Sequence, residues 1–67
     1  MKNLYIDIYE IEEMLSEYYD FENVTEEQWE KIDKLVCENC NRLGVSPMDY
    51  EEYAKICDGA VGKVLLG

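Results

Sequence analysis

The chain has 67 residues with 16 acidic and 6 basic side chains, so its net charge at pH 7 is −10, and it contains no histidine. Dinucleotide-binding folds, hydrolase sheets and TIM barrels need roughly 150 residues or more, so these enzyme architectures are excluded. Leu, Ile, Val and Phe form about a quarter of the chain, above the roughly one fifth below which highly charged chains stay disordered. We therefore expect one small folded domain over residues 1–67.

The first helix is predicted from about Leu4 or Asp7 to Asp20, because apolar residues recur there at steps of three and four. This stripe consists of Leu4, Ile8, Ile11, Leu15 and Tyr18. If the helix starts at the later position, Asp7 and Glu10 have the spacing of a capping box. Residues 3–8 also alternate as in a short strand, but a lone strand has no evident pairing partner, so we favour the helix.

The second helix is predicted to begin after Thr25, which has a glutamine three residues later, the pattern of a capping box. Val24 is placed to pack against Trp29 as a hydrophobic staple. Gly44 is expected to end the helix. Its apolar face comprises Trp29, Ile32, Val36, Cys40 and Leu43.

The third helix is expected to start at Ser46, Pro47 and Asp49, with the proline at the first helical position. Its predicted inward face is Tyr50, Tyr53, Ala54 and Cys57. After Gly59, residues 60–67 carry only one charge, and we expect a short fourth helix or an extended tail there. The predicted fold is therefore all-α, a small three-helix bundle with this C-terminal addition.

The negative charge is concentrated in the first 30 residues, which hold ten acids and one lysine. In the second and third helices, pairs such as Glu27 with Lys31, Glu30 with Lys34 and Glu51 with Lys55 have the favourable i,i+4 order. The first helix has no cation to balance its acids. Seven acids lie between Asp7 and Glu22, or one per roughly 3.2 Å of a continuous helix, close to the 3.4 Å charge spacing of a DNA strand.

Six of these acids are the candidate partner-binding residues: Asp7, Glu10, Glu13, Glu17, Asp20 and Glu22. Four of them, Glu10, Glu13, Glu17 and Asp20, project onto one strip of the predicted helix. The strip has two interpretations. It is either a solvated face that keeps the protein dispersed, or a surface that occupies a cationic groove meant for a phosphate backbone.

Three tyrosines, Tyr5, Tyr9 and Tyr19, are predicted on the flank between the apolar stripe and the acidic strip. They are candidate anchors for a partner, because exposed tyrosine is enriched in binding surfaces. The alternative is that they cover the edge of the core with only their hydroxyls in water. Direct binding of nucleic acid is not expected, because the chain has no basic stripe.

Cys37 and Cys40 form a CxxC pair, and Cys57 is the third cysteine. A zinc site would need a carboxylate such as Asp58 or Glu38 as fourth ligand, and three unligated thiols are the favoured interpretation. A redox CxxC usually opens a helix, whereas this one is near a helix end. No nucleophile with a base, phosphate loop or calcium loop is present. We expect no enzyme activity, no cofactor and no bound metal.

In size, acidity and its cation-free carboxylate strip, the chain resembles the small acidic DNA-mimic inhibitors of bacterial viruses, including anti-CRISPR, anti-restriction and uracil-DNA glycosylase inhibitor proteins. The resemblance covers composition and the first helix and includes no motif. It implies a non-enzymatic inhibitor that blocks the DNA-binding surface of a basic host protein, such as a CRISPR or restriction effector. The alternative is a regulatory or assembly module that dimerises or docks through an apolar face of Trp29, Tyr53 and the tail.

The N-terminal residues contain Asp7 and no apolar run of seven or more, so neither a secretory segment nor a membrane span is predicted. An odd number of cysteines argues against an extracellular disulfide framework. We therefore expect a cytoplasmic protein that does not bind membranes.

Overall fold

The computed structural model describes residues 3–67 and contains, in that range, three α-helices and no strand. These are α1 (Ile8–Leu15), α2 (Glu26–Leu43) and α3 (Tyr50–Leu66). α2 and α3 form the main helix pair and run antiparallel, because only a short turn joins them. α1 also contacts α3. The prediction of an all-α fold is confirmed.

α1 begins at the later of the two predicted starts. The carboxylate of Asp7 accepts hydrogen bonds from the backbone N–H groups of Tyr9 (3.0 Å) and Glu10 (3.4 Å), so it caps the helix. Residues 3–7 are neither helix nor strand. The Ile6 side chain is nevertheless buried, and the Ile6 N–H donates to Oδ1 of Asp33 on α2 at 2.9 Å.

The prediction that the first helix reaches Asp20 is wrong, because α1 ends at Leu15. The N–H groups of Tyr18 and Tyr19 both donate to the Leu15 carbonyl, which turns the chain out of the helix. The turn allows Phe21 to stack on Trp29, with ring centroids 5.6 Å apart and planes 13° from parallel. Tyr18, predicted on the apolar stripe, is 69% exposed instead.

α2 follows its predicted boundaries closely. The Thr25 hydroxyl accepts from the Gln28 N–H at 3.1 Å, and the Gln28 side chain accepts from the Thr25 N–H at 2.9 Å, so the capping box is present. Gly44 ends the helix with a positive φ of 67°. Four of the five predicted inward residues are buried, whereas Leu43 is 58% exposed, so its assignment to the core was wrong.

α3 starts at Tyr50, three residues later than a helix with Pro47 at its first position. Residues 46–49 form a separate turn, in which the Asp49 carboxylate accepts from the Ser46 N–H at 3.0 Å. Tyr50 is therefore at the helix start, where its side chain is exposed rather than inward. Tyr53 and Cys57 are buried as predicted, and Ala54 is half-buried.

The expected fourth helix or tail over residues 60–67 is not a separate element, because α3 continues to Leu66. Ala60 and Val61 are buried, and Val64 and Leu65 pack against the core. Two glycines inside a helix cost about 2 kcal/mol relative to alanine, whereas each valine or leucine side chain that is fully buried returns about 1.5 kcal/mol or more. Packing of this segment on the core therefore outweighs the cost of Gly59 and Gly62.

One hydrophobic core joins α1, α2, α3 and the segment before α1. Its buried members are Ile6, Ile11, Leu15, Trp29, Ile32, Val36, Cys40, Tyr53, Cys57, Ala60 and Val61. Within residues 3–67, no charged side chain is buried, so the carboxylates are at or near the surface. No helix in this part of the chain is both long and apolar enough to cross a bilayer.

Candidate functional site

The six candidate acids are all exposed, and we call their carboxylates the acidic surface. Its members are Asp7, Glu10, Glu13, Glu17, Asp20 and Glu22. Asp7 caps α1, and Glu10 and Glu13 lie on it, whereas the other three lie in the turn and loop before α2. The prediction of one continuous helical strip is therefore wrong for its second half, and the charge spacing expected for a continuous helix from Asp7 to Glu22 does not hold.

No cation of the described residues balances the acidic surface. Between Asp7 and Glu22, no carboxylate forms an ion pair with any group in residues 3–67. Lys31 pairs with Glu27 at 3.7 Å, as predicted, and Lys55 pairs with Glu52 at 4.0 Å rather than with Glu51. Lys31 and Lys55 thus pair within their own helices, and no lysine of residues 3–67 neutralises the acidic surface.

Glu10 and Glu13 line a shallow depression that also involves the start of α3. Met14 of α1 and Pro47 and Tyr50 of the turn and α3 complete its lining. Two carboxylates therefore lie beside a tyrosine ring that is 59% exposed. Such a depression can pair with a cationic side chain and also contact its aliphatic part.

Glu17 and Asp20 line a second depression, which shares no residue with the first. Its lining also includes Glu12, Ser16, Tyr18, Tyr19 and Phe21. One Asp20 carboxylate oxygen, Oδ1, accepts from the Glu22 N–H at 2.9 Å, which fixes the loop locally. The second depression thus resembles the first in that carboxylates lie beside an exposed tyrosine, here Tyr18.

The three predicted tyrosines do not form one flank. Tyr5 precedes α1 and is 49% exposed, and partial burial together with the Cys40 and Cys37 thiols raises the pKa of its hydroxyl. Tyr9 is 82% exposed on α1. Tyr19 is half-buried, and its hydroxyl donates to Oδ1 of Asp58 on α3 at 2.6 Å.

The exposed tyrosines that line the two depressions are Tyr18 and Tyr50. Their spacing in the sequence predicts both in the core, and this prediction is wrong. The approach of Pro47 and Tyr50 to Glu10 and Glu13 depends on how α3 packs against α1, and no local pattern in the sequence signals it. The exposure of Tyr18 follows from the early end of α1.

The cysteines lie in or beside the core. Cys40 and Cys57 are buried, Cys37 is half-buried, and all three thiols are free. Burial raises the pKa of Cys57 to about 11, although a hydrogen bond with Tyr53 lowers it in part. Burial also raises the pKa of Cys40. Raised thiol pKa values oppose thiolate formation and hence nucleophilic or redox reactivity at pH 7.

No group of three or more cysteines, histidines or carboxylates within residues 3–67 is arranged to hold a metal ion. Two of the residues named for an apolar docking face are not available to a partner, whereas Leu66 of the tail is exposed. Trp29 and Tyr53 are both buried in the chain's own core, so they do not present an exposed surface to a partner.

Comparison with known proteins identifies no relative: no protein-family model, no curated protein and no solved structure matches the chain.

Proposed function

We propose that the chain is a non-enzymatic inhibitor of the DNA-mimic type, which binds a basic nucleic-acid-binding protein of its host and blocks the DNA-binding surface. The observation that carries this proposal is the acidic surface, whose carboxylates are exposed and have no ion-pair partner in residues 3–67. A restriction or CRISPR effector is the kind of partner that has a complementary cationic channel.

The arrangement supports binding to a protein more than simple solubility. Carboxylates at i, i+3 and i+4 repel each other by about 0.2–0.5 kcal/mol per pair, so Glu10 and Glu13 cost α1 stability. Solubility alone does not require acids to be grouped without cations, since surfaces with both signs interspersed are also soluble. Tyr18 and Tyr50 beside the acids add the aromatic contacts that are enriched in interfaces between proteins.

The mechanism is competition. An exposed array of carboxylates attracts a cationic channel over a distance of about one Debye length, which speeds the encounter. In the complex, lysine and arginine side chains that contact phosphates in the DNA complex would contact Glu10, Glu13, Glu17 and Asp20 instead. DNA and the chain then exclude each other from one surface, with no bond made or broken.

The test is a pull-down from bacterial lysate on the immobilised chain, eluted either with rising salt or with a short DNA duplex. We expect a basic DNA-binding protein that the duplex releases. The variant Glu10→Lys with Glu17→Lys changes one acid of each depression and should capture none of it.

Glu38→Lys with Glu51→Lys is the matched control, because it changes the net charge equally and both residues are exposed elsewhere. Glu10 and Glu51 also occupy the first turns of their helices, so the helix-dipole effects are similar. Equal capture by the two double variants, or a captured protein that still binds DNA when saturated with the chain, would overturn the proposal.

A further inference from the structure

A second surface of opposite character lies between α2 and α3. Two adjacent depressions there share Leu35 and Lys63, so they form one continuous trough, and residues 28–43 and 52–67 supply its entire lining. The α2 side runs from Gln28 to Leu43, or about 22 Å at the helical rise. The trough is therefore long enough for about four turns of another helix.

The floor of the trough is apolar. Leu35, Ile56 and Val64 are half-buried along it, and Leu43 at one end is exposed. A groove between two antiparallel helices is a common seat for the apolar stripe of a third helix. The shape and the floor thus suit an amphipathic helix.

The rim of the trough is rich in lysine. Lys31, Lys34, Lys55 and Lys63 line it together with only two acids, Glu38 and Glu52. These are four of the six basic residues of a chain with a net charge of −10. The rim therefore differs in sign from the rest of the molecule, and it would complement acidic side chains that flank an apolar stripe.

The four lysines of the rim are available to contact acidic side chains of a partner. Within the described part of the chain, Lys34 and Lys63 form no ion pair. Lys31 and Lys55 pair only with exposed glutamates of their own helices, and exposed pairs of this kind contribute about 0–1 kcal/mol. An acidic partner can replace these contacts at small cost.

We propose that this trough binds an acidic amphipathic helix of another protein, with apolar residues on the floor and carboxylates on the lysines. This surface is separate from the two depressions of the acidic surface, with which it shares no lining residue. The protein then has two binding surfaces of opposite charge, and the second recruits a partner that the acidic surface would repel. A bare polyanion does not fit, because it offers nothing to the apolar floor.

The experiment is a fluorescence-anisotropy titration with a labelled synthetic helix of about 18 residues, with leucines along one stripe and glutamates on both flanks. Two comparison probes are the same peptide with lysines for its glutamates and one with serines for its leucines. The titration is run at about 0.15 M salt, where the Debye length of about 8 Å screens distant acids of the chain. We expect saturable binding of the acidic amphipathic peptide and at least about tenfold weaker binding of both comparison probes.

Variants of the chain locate the site. Lys63→Glu should weaken binding at least about tenfold, because Lys63 lines both parts of the trough. Arg42→Glu is the matched control and should change the affinity much less than Lys63→Glu does. Arg42 is outside the trough lining, and its guanidinium reaches the trough only through a hydrogen bond to the lining residue Asn39. Each of the two residues is the basic residue in the last turn of its helix, so charge and helix-dipole effects are the same.

Circular dichroism of both variants checks the fold, and we expect each to keep the helical content of the parent chain. Several results overturn the proposal: no binding of the acidic amphipathic peptide, equal binding of the lysine or serine probe, or equal weakening by Lys63→Glu and Arg42→Glu. Sedimentation that shows a dimer dissociated by Lys63→Glu would mean that a second copy occupies the trough instead. Displacement of the peptide by a DNA duplex would assign the trough to nucleic acid.

Discussion

The Tyr19 hydroxyl donates a 2.6 Å hydrogen bond to the Asp58 carboxylate, across 39 residues of sequence. A second, longer contact of 3.3 Å leads to the Asp58 carbonyl. The bond raises the pKa of Tyr19, and burial of the ring adds to the effect. Through this bond α3 holds the loop after α1 in place, and Glu17 and Asp20 of the acidic surface belong to the same stretch of chain.

Tyr19→Phe removes this bond and should reduce the free energy of unfolding by about 1 kcal/mol, as measured by urea denaturation. The amide protons of residues 18–22 should also exchange faster in hydrogen-exchange experiments, because the loop loses its tie to α3. An unchanged denaturation midpoint together with unchanged exchange would show that the bond does not hold the loop.

Two glycines of α3 provide a paired test of the same contact. A Cβ on Gly59 meets nothing within 4 Å, so Gly59→Ala should stabilise the chain by about 0.5–1 kcal/mol through helix propensity. A Cβ on Gly62 stands 2.9 Å from the Tyr19 hydroxyl oxygen, so Gly62→Ala must displace this hydroxyl and lose the gain. In a Tyr19→Phe background the hydroxyl is absent, so Gly62→Ala should recover the stabilisation expected from helix propensity. If Gly62→Ala stabilises the parent chain as much as Gly59→Ala does, the Tyr19 hydroxyl does not lie against Gly62.

The bond from the Ile6 N–H to Asp33 ties the segment before α1 to α2. Asp33→Ala removes the acceptor and should lower the free energy of unfolding by about 1–2 kcal/mol. Asp33→Asn keeps an acceptor oxygen at the same place and should cost less than half as much. Equal losses in the two variants, measured by thermal or urea denaturation, would mean that the charge of Asp33 rather than its acceptor matters.

The unbalanced acids of α1 predict that stability and binding respond in opposite directions. Glu13 lies in the last turn of α1, which has no basic residue, so Glu13→Lys relieves repulsion and suits the helix dipole. We expect a gain of about 0.5–1 kcal/mol at low salt that shrinks as salt is added. The same change should weaken capture of the basic partner, and a loss of stability would contradict the unbalanced charge of this helix.

The pKa of Cys57 makes stability depend on pH in the alkaline range. Its pKa is about 11 in the folded chain against an ordinary value of 9.0. Between these values the unfolded chain loses the thiol proton and the folded chain keeps it, so stability is fully present below pH 9 and falls as pH rises toward 11. The melting temperature of Cys57→Ala, taken relative to pH 7, should fall less steeply between pH 8 and 11 than that of the parent chain. Equal slopes in the two chains would show that Cys57 does not cause the alkaline loss of stability.

Local signals in the sequence predicted most of the fold. The Thr25 and Gln28 capping box, Gly44 and the spacing of Trp29, Ile32 and Val36 define α2 by short-range rules, and the structure agrees with them. Leu4, Ile6 and Ile8 alternate as in a strand, and all three are buried or half-buried although the segment forms no strand. The alternation predicted burial there without predicting a strand.

The errors share a physical origin in contacts between distant segments. The end of α1 at Leu15 is accompanied by the packing of Tyr19 on Asp58 and of Phe21 on Trp29, which helical spacing alone does not contain. The extension of α3 through Gly59 and Gly62 likewise depends on burial of Val61. The sequence indicates part of the lysine-rimmed trough, because Lys31 and Lys34 have i,i+3 spacing on α2. Lys55 and Lys63 of α3 reach the trough only through the packing of the two helices, which the sequence does not indicate.

The most direct test of the proposed function is the salt dependence of the affinity for the captured DNA-binding protein. Three proteins are compared: the parent chain, the double variant Glu10→Lys/Glu17→Lys, and the control double variant Glu38→Lys/Glu51→Lys. We expect the affinity of the parent chain and of the second variant to fall at least about tenfold between about 50 and 200 mM salt, with weak binding of the first variant throughout. An affinity that is independent of salt, or identical in the two variants, would contradict the claim that the acidic surface binds by completing a cationic one.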